Sequence, residues 1–249
     1  MYMSASGASS NDDSAAGNVF INIAGFAKLW DLIDVIQCIT LRTRPERAEA
    51  ARRQFARVGL ADRVHFLVME PDADDGKRGC FHSHQHAARR ALELGAKRAL
   101  TFEDDVEFTN DFSPFAAARA AKFLSETDEP WELFFLGHFP RKMELTSQRD
   151  VVKVRSMDGH AYVLTAQGMR ALGALAYRGD QVDVHYHYCC AQAFALYPMV
   201  ALQRASFSDT EAVERAADWN GDKLAREQQL YKGAVGRQLL GAALPGLVS

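Results

Sequence analysis

The segment Leu100-Thr101-Phe102-Glu103-Asp104-Asp105-Val106-Glu107-Phe108 joins an apolar run that reads as a strand to three consecutive acids. Like charges this close repel one another and resist burial, so they need water, basic partners or a cation. A carboxylate cluster at a strand end is also where an α/β protein can hold a divalent ion against a phosphate. An ordinary solvated acidic turn is the alternative. A second charged group, Arg42, Arg44 and Arg47, follows the branched apolar run Val35–Leu41. Guanidinium groups of Arg44 and Arg47 suit a phosphate or the edge of a base, or they belong to a basic helix face that Arg52, Arg53 and Arg57 continue.

Histidines form two further groups. In His82-Ser83-His84-Gln85-His86 the rings alternate, which on a strand would turn all three to one side and suit zinc. The run is expected to open a helix, however, which divides the rings between faces, with Ser83 as a possible N-cap. His185 and His187, near Cys189 and Cys190, read as packing and surface histidines of a Tyr-rich helix, and His160 precedes a strand where it could line a site.

The elements that must position these groups follow from periodicity and punctuation. Strands are expected at Val35–Leu41, Val64–Met69, Arg98–Phe102, Trp131–Leu136, Val151–Arg155, Ala161–Thr165 and Met199–Gln203. Helices are expected from Pro45 to about Val58, from Ser83 to Leu94 with Gly95 behind it, and over Phe115–Leu124, Gln167–Ala176 and Val184–Leu196. Strands alternating with helices predict an α/β fold with a mainly parallel sheet covered on both faces. Ligands in such sheets bind beyond the carboxyl ends of the strands, so the arginine and acidic clusters should share one edge.

Composition narrows the function classes. The chain has 249 residues, 48% hydrophobic and 24% charged, with a formal net charge of −3, which describes a soluble globular protein with no general pull toward nucleic acid. Cys38, Cys80, Cys189 and Cys190 form no CxxC pair, which favours a reducing compartment and a cytoplasmic location. Residues 1–17 have the composition of a disordered tail without a basic leader. Val19 to Ile36 is interrupted by Asn22, Lys28, Asp31 and Asp34, too polar for a membrane span and more consistent with an amphipathic segment packed on the domain. No GxGxxG follows a strand, no Walker-type phosphate loop occurs, and no HExxH supports a zinc hydrolase.

Four segments, in order, resemble the family 25 glycosyltransferases, which include lipooligosaccharide and collagen galactosyltransferases. Ile39-Thr40-Leu41-Arg42-Thr43-Arg44-Pro45-Glu46-Arg47 is similar to that family's I-N-L-x-R-R-x-D-R, with Thr40, Thr43 and Glu46 in place of Asn, Arg and Asp. Gly79-Cys80-Phe81-His82-Ser83-His84 resembles G-C-x-x-S-H, Glu103-Asp104-Asp105-Val106 resembles E-D-D-V, and Gly159-His160-Ala161-Tyr162, with Gly168 beyond, resembles H-A-Y-x-x-S-x-x-G-A. The resemblance implies a GT-A fold over residues 18–208, with 209–249 as a helical extension. It implies a UDP-sugar donor, inversion at the anomeric carbon, a hydroxyl acceptor on a glycan or protein, and Mn2+ or Mg2+ as cofactor. Donor contacts would come from Thr40, Arg44, Arg47, Ser83, His84, Glu103 and Asp104. On an extended segment Glu103 and Asp105 point to one side and Asp104 to the other, so Asp105 is the expected direct metal ligand, with Glu103 sharing the metal. Asp183 is the carboxylate expected to act as general base, or else it caps a helix. A catalytically silent relative that binds sugar nucleotides is the competing reading.

Overall fold

Strands β1 (Val35–Leu41) and β3 (Arg98–Glu103) lie side by side and parallel in a computed structural model that describes residues 25–205, 207–208, 213–214 and 219–243. β1 is buried almost throughout and β3 over its four central residues, so every second residue faces a different core. Ile36, Cys38, Leu100 and Phe102 face one core, while Val35 and Ala99 face the other. The remaining strands of the sheet are β2 (Val64–Met69), β5 (Leu133–Leu145), β6 (Val151–Thr165) and β7 (Ala193–Leu196). The order is β2-β1-β3-β6-β5-β7. β2, β1, β3, β5 and β7 run one way, and β6 alone opposes its neighbours. The expected α/β architecture with a mainly parallel sheet flanked by helices is therefore present, with one reversed strand at its centre.

Helices cover both faces. Residues 25–30 (α1), α2 (Pro45–Arg57) and α4 (Pro114–Glu126) bury Trp30, Phe55 and Phe123 in the first core. α3 (Gly76–Glu93), α5 (Ala166–Gly173) and α6 (Val182–Cys189) bury Phe81, Leu172 and Tyr186 in the second. Short strands β4 (Val106–Phe108) and β8 (Ala201–Gln203) pair antiparallel just beyond the acidic triplet, and β9 (Phe207–Ser208) pairs with β10 (Val213–Glu214). Helix α7 (Trp219–Ala243) packs along β5 and carries two buried charged residues, Lys223 and Glu227.

Three expectations need correction. Helix α3 starts at Gly76 and not at Ser83, because the Asp75 side chain accepts from the Lys77 and Arg78 amides and caps it there. The separate strands Val151–Arg155 and Ala161–Thr165 are one strand, β6, since bulges in its ladder with β5 carry the pairing through the polar middle. The helix expected over Val184–Leu196 stops at Cys189, and the apolar run Ala193–Leu196 leaves it to pair with both β5 and β6. The tail read in residues 1–17 lies outside the described residues, as does part of the 209–249 extension. Among the described residues no helix is long and apolar enough to cross a membrane.

Candidate functional site

The register of the two central parallel strands sets the site. Ile39 stands opposite Glu103, so the chain leaves β1 and β3 at the same edge of the sheet. Past β1, Pro45 starts α2 and places Arg47 in its first turn. Past β3, Asp104 and Asp105 form a turn before β4 begins. Arg47 Nη2 lies 2.7 Å from Asp104 Oδ1 and 3.3 Å from Asp105 Oδ2. Thr40 Oγ1 donates to Asp104 Oδ2 at 2.6 Å. Burial pushes the Asp104 carboxyl up, while Arg47 and the Thr40 hydroxyl pull it back down.

The turn overturns the alternation expected of the triplet. Because β3 ends at Glu103, the three carboxylates do not alternate as on a strand. Asp104 and Asp105 share Arg47, whereas Glu103 diverges toward α3. Its Oε1 lies 3.3 Å from His84 Nε2, and its Oε2 accepts from Gln203 Nε2 at 3.3 Å. All three acids, with Thr40, Arg47, Cys80, Ser83 and His84, line one cavity at the carboxyl ends of β1 and β3.

His84 is fully buried, and its Nδ1 lies 2.7 Å from the Tyr162 hydroxyl and 3.1 Å from that of Tyr186. Tyr162 comes from β6 and Tyr186 from α6, so one strand and one helix fix one imidazole. A Cβ at Gly159 would sit 2.3 Å from the Tyr186 ring, which explains the glycine before His160. Ser83 is mid-helix and donates to the Gly79 carbonyl at 2.7 Å, so it is not a cap. His82 and His86 point to solvent while His84 points inward, as the helical reading of the run requires.

Two expected site residues are not among those lining this cavity. Arg44 is the residue before α2, 4.0 Å from Glu46, and is not among the cavity-lining residues. Asp183 also does not line that cavity. It lies in the first turn of α6, past the N-cap position held by Gln181, and its Oδ2 accepts from the Asp158 amide at 3.1 Å. Burial pushes its carboxyl up. A chain of bonds nonetheless links it to the triplet. Asp158 Oδ2 pairs with Lys223 Nζ at 2.6 Å, Lys223 donates to Gln203 Oε1 at 2.7 Å, and Gln203 donates to Glu103.

Lys223, Gln203, Asp158, Tyr162 and Tyr186 were not singled out from sequence as site residues. Tyr162 belongs to the segment Gly159–Tyr162, and Asp158 precedes Gly159, but a lysine from a distant helix leaves no local signal. Asp158 adopts φ +55°, a left-handed conformation rare outside glycine. His160 is buried, held near 4 by burial, and its Nε2–H donates to the Ala201 carbonyl at 3.0 Å, which is a structural role. His185 packs on Phe81, with ring centroids 5.4 Å apart.

The donor set suits a hard cation. Three carboxylates from consecutive residues face one cavity, and carboxylate oxygens are the ligands that Mg2+ and Mn2+ take. Arg47 balances two of these charges in the structure described.

No family profile matches the chain. It is 30% identical over 135 residues, 44% of its length, to a glycosyltransferase 25 family member of Drosophila pseudoobscura pseudoobscura, covering 21% of that protein. It is 26% identical over 178 residues, 59% of its length, to the probable inactive glycosyltransferase 25 family member 3 of Rattus norvegicus, covering 30% of that protein. The inactive human member 3 matches at 28% over 102 residues, 40% of this chain and 16% of that one. The chain thus spans less than a third of the length of these curated relatives. Among solved structures, UDP-glucose pyrophosphorylase complexed with UDP-glucose aligns with TM-score 0.44 at 9% identity, over 85% of this chain and 87% of that one. A glycosyltransferase involved in glycosylating the PBCV-1 major capsid aligns with TM-score 0.43 at 7% identity, over 79% and 99%. Over the regions matched, the chain is similar in sequence to glycosyltransferase 25 family members.

Proposed function

We propose that this protein is a metal-dependent inverting glycosyltransferase that moves a hexose from a UDP-sugar to a hydroxyl of a glycan or protein. The observation that carries the reading is the single cavity where Arg47 and the Glu103-Asp104-Asp105 turn meet at the ends of two parallel strands. Transfer from a nucleotide diphosphate develops negative charge on the departing diphosphate and takes a proton from the acceptor hydroxyl. Bound Mn2+ or Mg2+ supplies the charge neutralisation as a Lewis acid. Asp105 and Glu103 are the residues to hold it. Asp104, fixed by Thr40, steers Arg47, whose planar donors suit a phosphate. Ser83 and His84 wall the cavity on the α3 side. Asp183 is the proposed base: burial brings its proton affinity nearer the working pH, which general-base catalysis favours. The four free cysteines agree with a cytoplasmic site of action.

A second reading, donor binding without transfer, is favoured by one observation, the seating of Arg47 on Asp104 and Asp105. A panel of UDP-sugars assayed for hydrolysis and transfer with and without Mn2+ separates the two. The transferase reading expects Mn2+-dependent release of UDP from one donor. Tight Mn2+-dependent donor binding with no release under any acceptor would establish the silent reading and overturn the first.

A further inference from the structure

Glu103 faces away from its acidic neighbours and toward α3, where Cys80 and His84 stand one helical turn apart on the same face. One ligand atom from each of Cys80, His84 and Glu103 falls within 4.8 Å of the other two. We infer that these three side chains form a second cation site, selective for a thiophilic divalent ion such as Zn2+, with its fourth position open to the cavity.

The geometry is close to that of an assembled site. Two tetrahedral ligands at ordinary Zn–N and Zn–O lengths lie about 3.3 Å apart, and His84 Nε2 and Glu103 Oε1 are 3.3 Å apart already. The Cys80 sulfur lies within 4.8 Å of both, and Cys80 is partly exposed on the cavity wall, where rotation about χ1 turns the sulfur toward them. The outer contacts are those of a metal site too. Tyr162 and Tyr186 hydroxyls hold His84 Nδ1 and so aim Nε2 at the cluster, and Gln203 holds the other oxygen of Glu103.

Ligand chemistry separates this site from the carboxylate turn. Thiolate and imidazole select zinc over magnesium and manganese, which prefer oxygen alone. Three protein ligands with an open fourth position make a reactive rather than a closed structural site. Glu103 belongs to both groups, so an ion held by Cys80 and His84 draws it away from Asp105. The site stands on its ligands whether or not the cavity takes a nucleotide sugar.

The test is titration of the full-length reduced protein with Co2+, followed by displacement with Zn2+, and it reads no transferase activity. One equivalent of Co2+ should bind with a thiolate-to-cobalt charge-transfer band that Zn2+ abolishes. Cys80→Ser should remove the band, and Tyr162→Phe should weaken binding on the order of tenfold by loosening His84. Asp105→Ala, a change outside the thiolate set, should leave the band intact. Absence of any band, a band that survives in Cys80→Ser, or one lost only when Cys189 and Cys190 are replaced would overturn the site. Circular dichroism of Cys80→Ser and Tyr162→Phe, matching the parent, shows that lost binding is not lost folding.

Discussion

The two halves of the sheet do different work. In β2-β1-β3 the strands are parallel, short and joined through helices, and their carboxyl ends deliver Thr40, Arg47 and the acidic triplet to an open cavity. In β6-β5-β7 a long bulged ladder, clamped by α7, holds its polar groups out of solvent: His138, His160, Lys223 and Glu227 are each 1% exposed or less. The first half presents charge where a ligand can reach it. The second buries polar groups behind the site and reaches it through the Lys223–Gln203–Glu103 bonds and through Tyr162, which holds His84. Parallel strands make the site; the antiparallel half fixes its back wall.

The comparison breaks most visibly if a substitution in the presenting half costs stability and not chemistry. Asp105→Ala should lose turnover on the order of 10²–10³-fold, as expected when a charge-stabilising group is removed, with its thermal unfolding unchanged or raised, because Arg47 retains Asp104. Differential scanning calorimetry beside a Mn2+-dependent activity assay checks it, and full activity would end the assignment. In the supporting half the order reverses. Lys223 is 1% exposed, and its ammonium serves Asp158 and Gln203 together. Lys223→Met should cost about 3–5 kcal/mol, since it strands a carboxylate behind the site. An undiminished urea midpoint would show that the buried link carries no weight.

That division also explains what could be read in sequence. β1 falls where its branched apolar run places it, Val35–Leu41, because a strand buried on both faces writes a continuous signal, and the edge strand β2 follows its own apolar run at Val64–Met69. The Gly95 stop is equally local: the residue sits at φ +77° behind the last turn of α3. Arg47 and the triplet were legible because charges at strand ends are anomalous in a sheet. The ladder of β5 and β6 was not, since its middle is polar and irregular and its pairing is set by long-range partners. Lys223 was invisible for the same reason: nothing near it in sequence distinguishes it from the solvated lysines of an ordinary helix. Arg44, in the same segment, stands just before α2, 4.0 Å from Glu46.

A smaller effect tests burial itself. Burial raises the Glu227 carboxyl from 4.5 to about 8, although its Oε1 accepts from the Met199 amide at 2.9 Å. His138, 3.9 Å away, is held near 3 by its own burial and offers no compensating charge. Folding thus tightens the hold on this proton, so the stability linked to it is complete below pH 4.5 and falls as pH rises toward about 8. At pH 7 the loss is about 3 kcal/mol as an upper limit, from 1.36 kcal/mol per pH unit. Glu227→Gln keeps the acceptor for Met199 and removes the titration. Its unfolding free energy, measured from pH 5 to 8, should lose most of the parent's downward slope. Parallel slopes would place the carboxylate in water and not in the buried half.

The smallest effect falls on the seam of the presenting half. Thr40 is 3% exposed, and its hydroxyl donates to Asp104, which Arg47 also holds. Thr40→Val preserves shape and removes that donor. A carboxylate left with one partner fewer costs about 1–2 kcal/mol and becomes still easier to protonate, since burial already raises it. The stability loss should therefore be modest, while Mn2+-dependent donor affinity weakens more at pH 5.5 than at pH 8, where the carboxylate is ionised in both proteins. Thr40→Ser, which restores the donor, should return the parental pH profile. If Val and Ser behave alike, the hydroxyl does not position Asp104, and the presenting half is held by Arg47 alone.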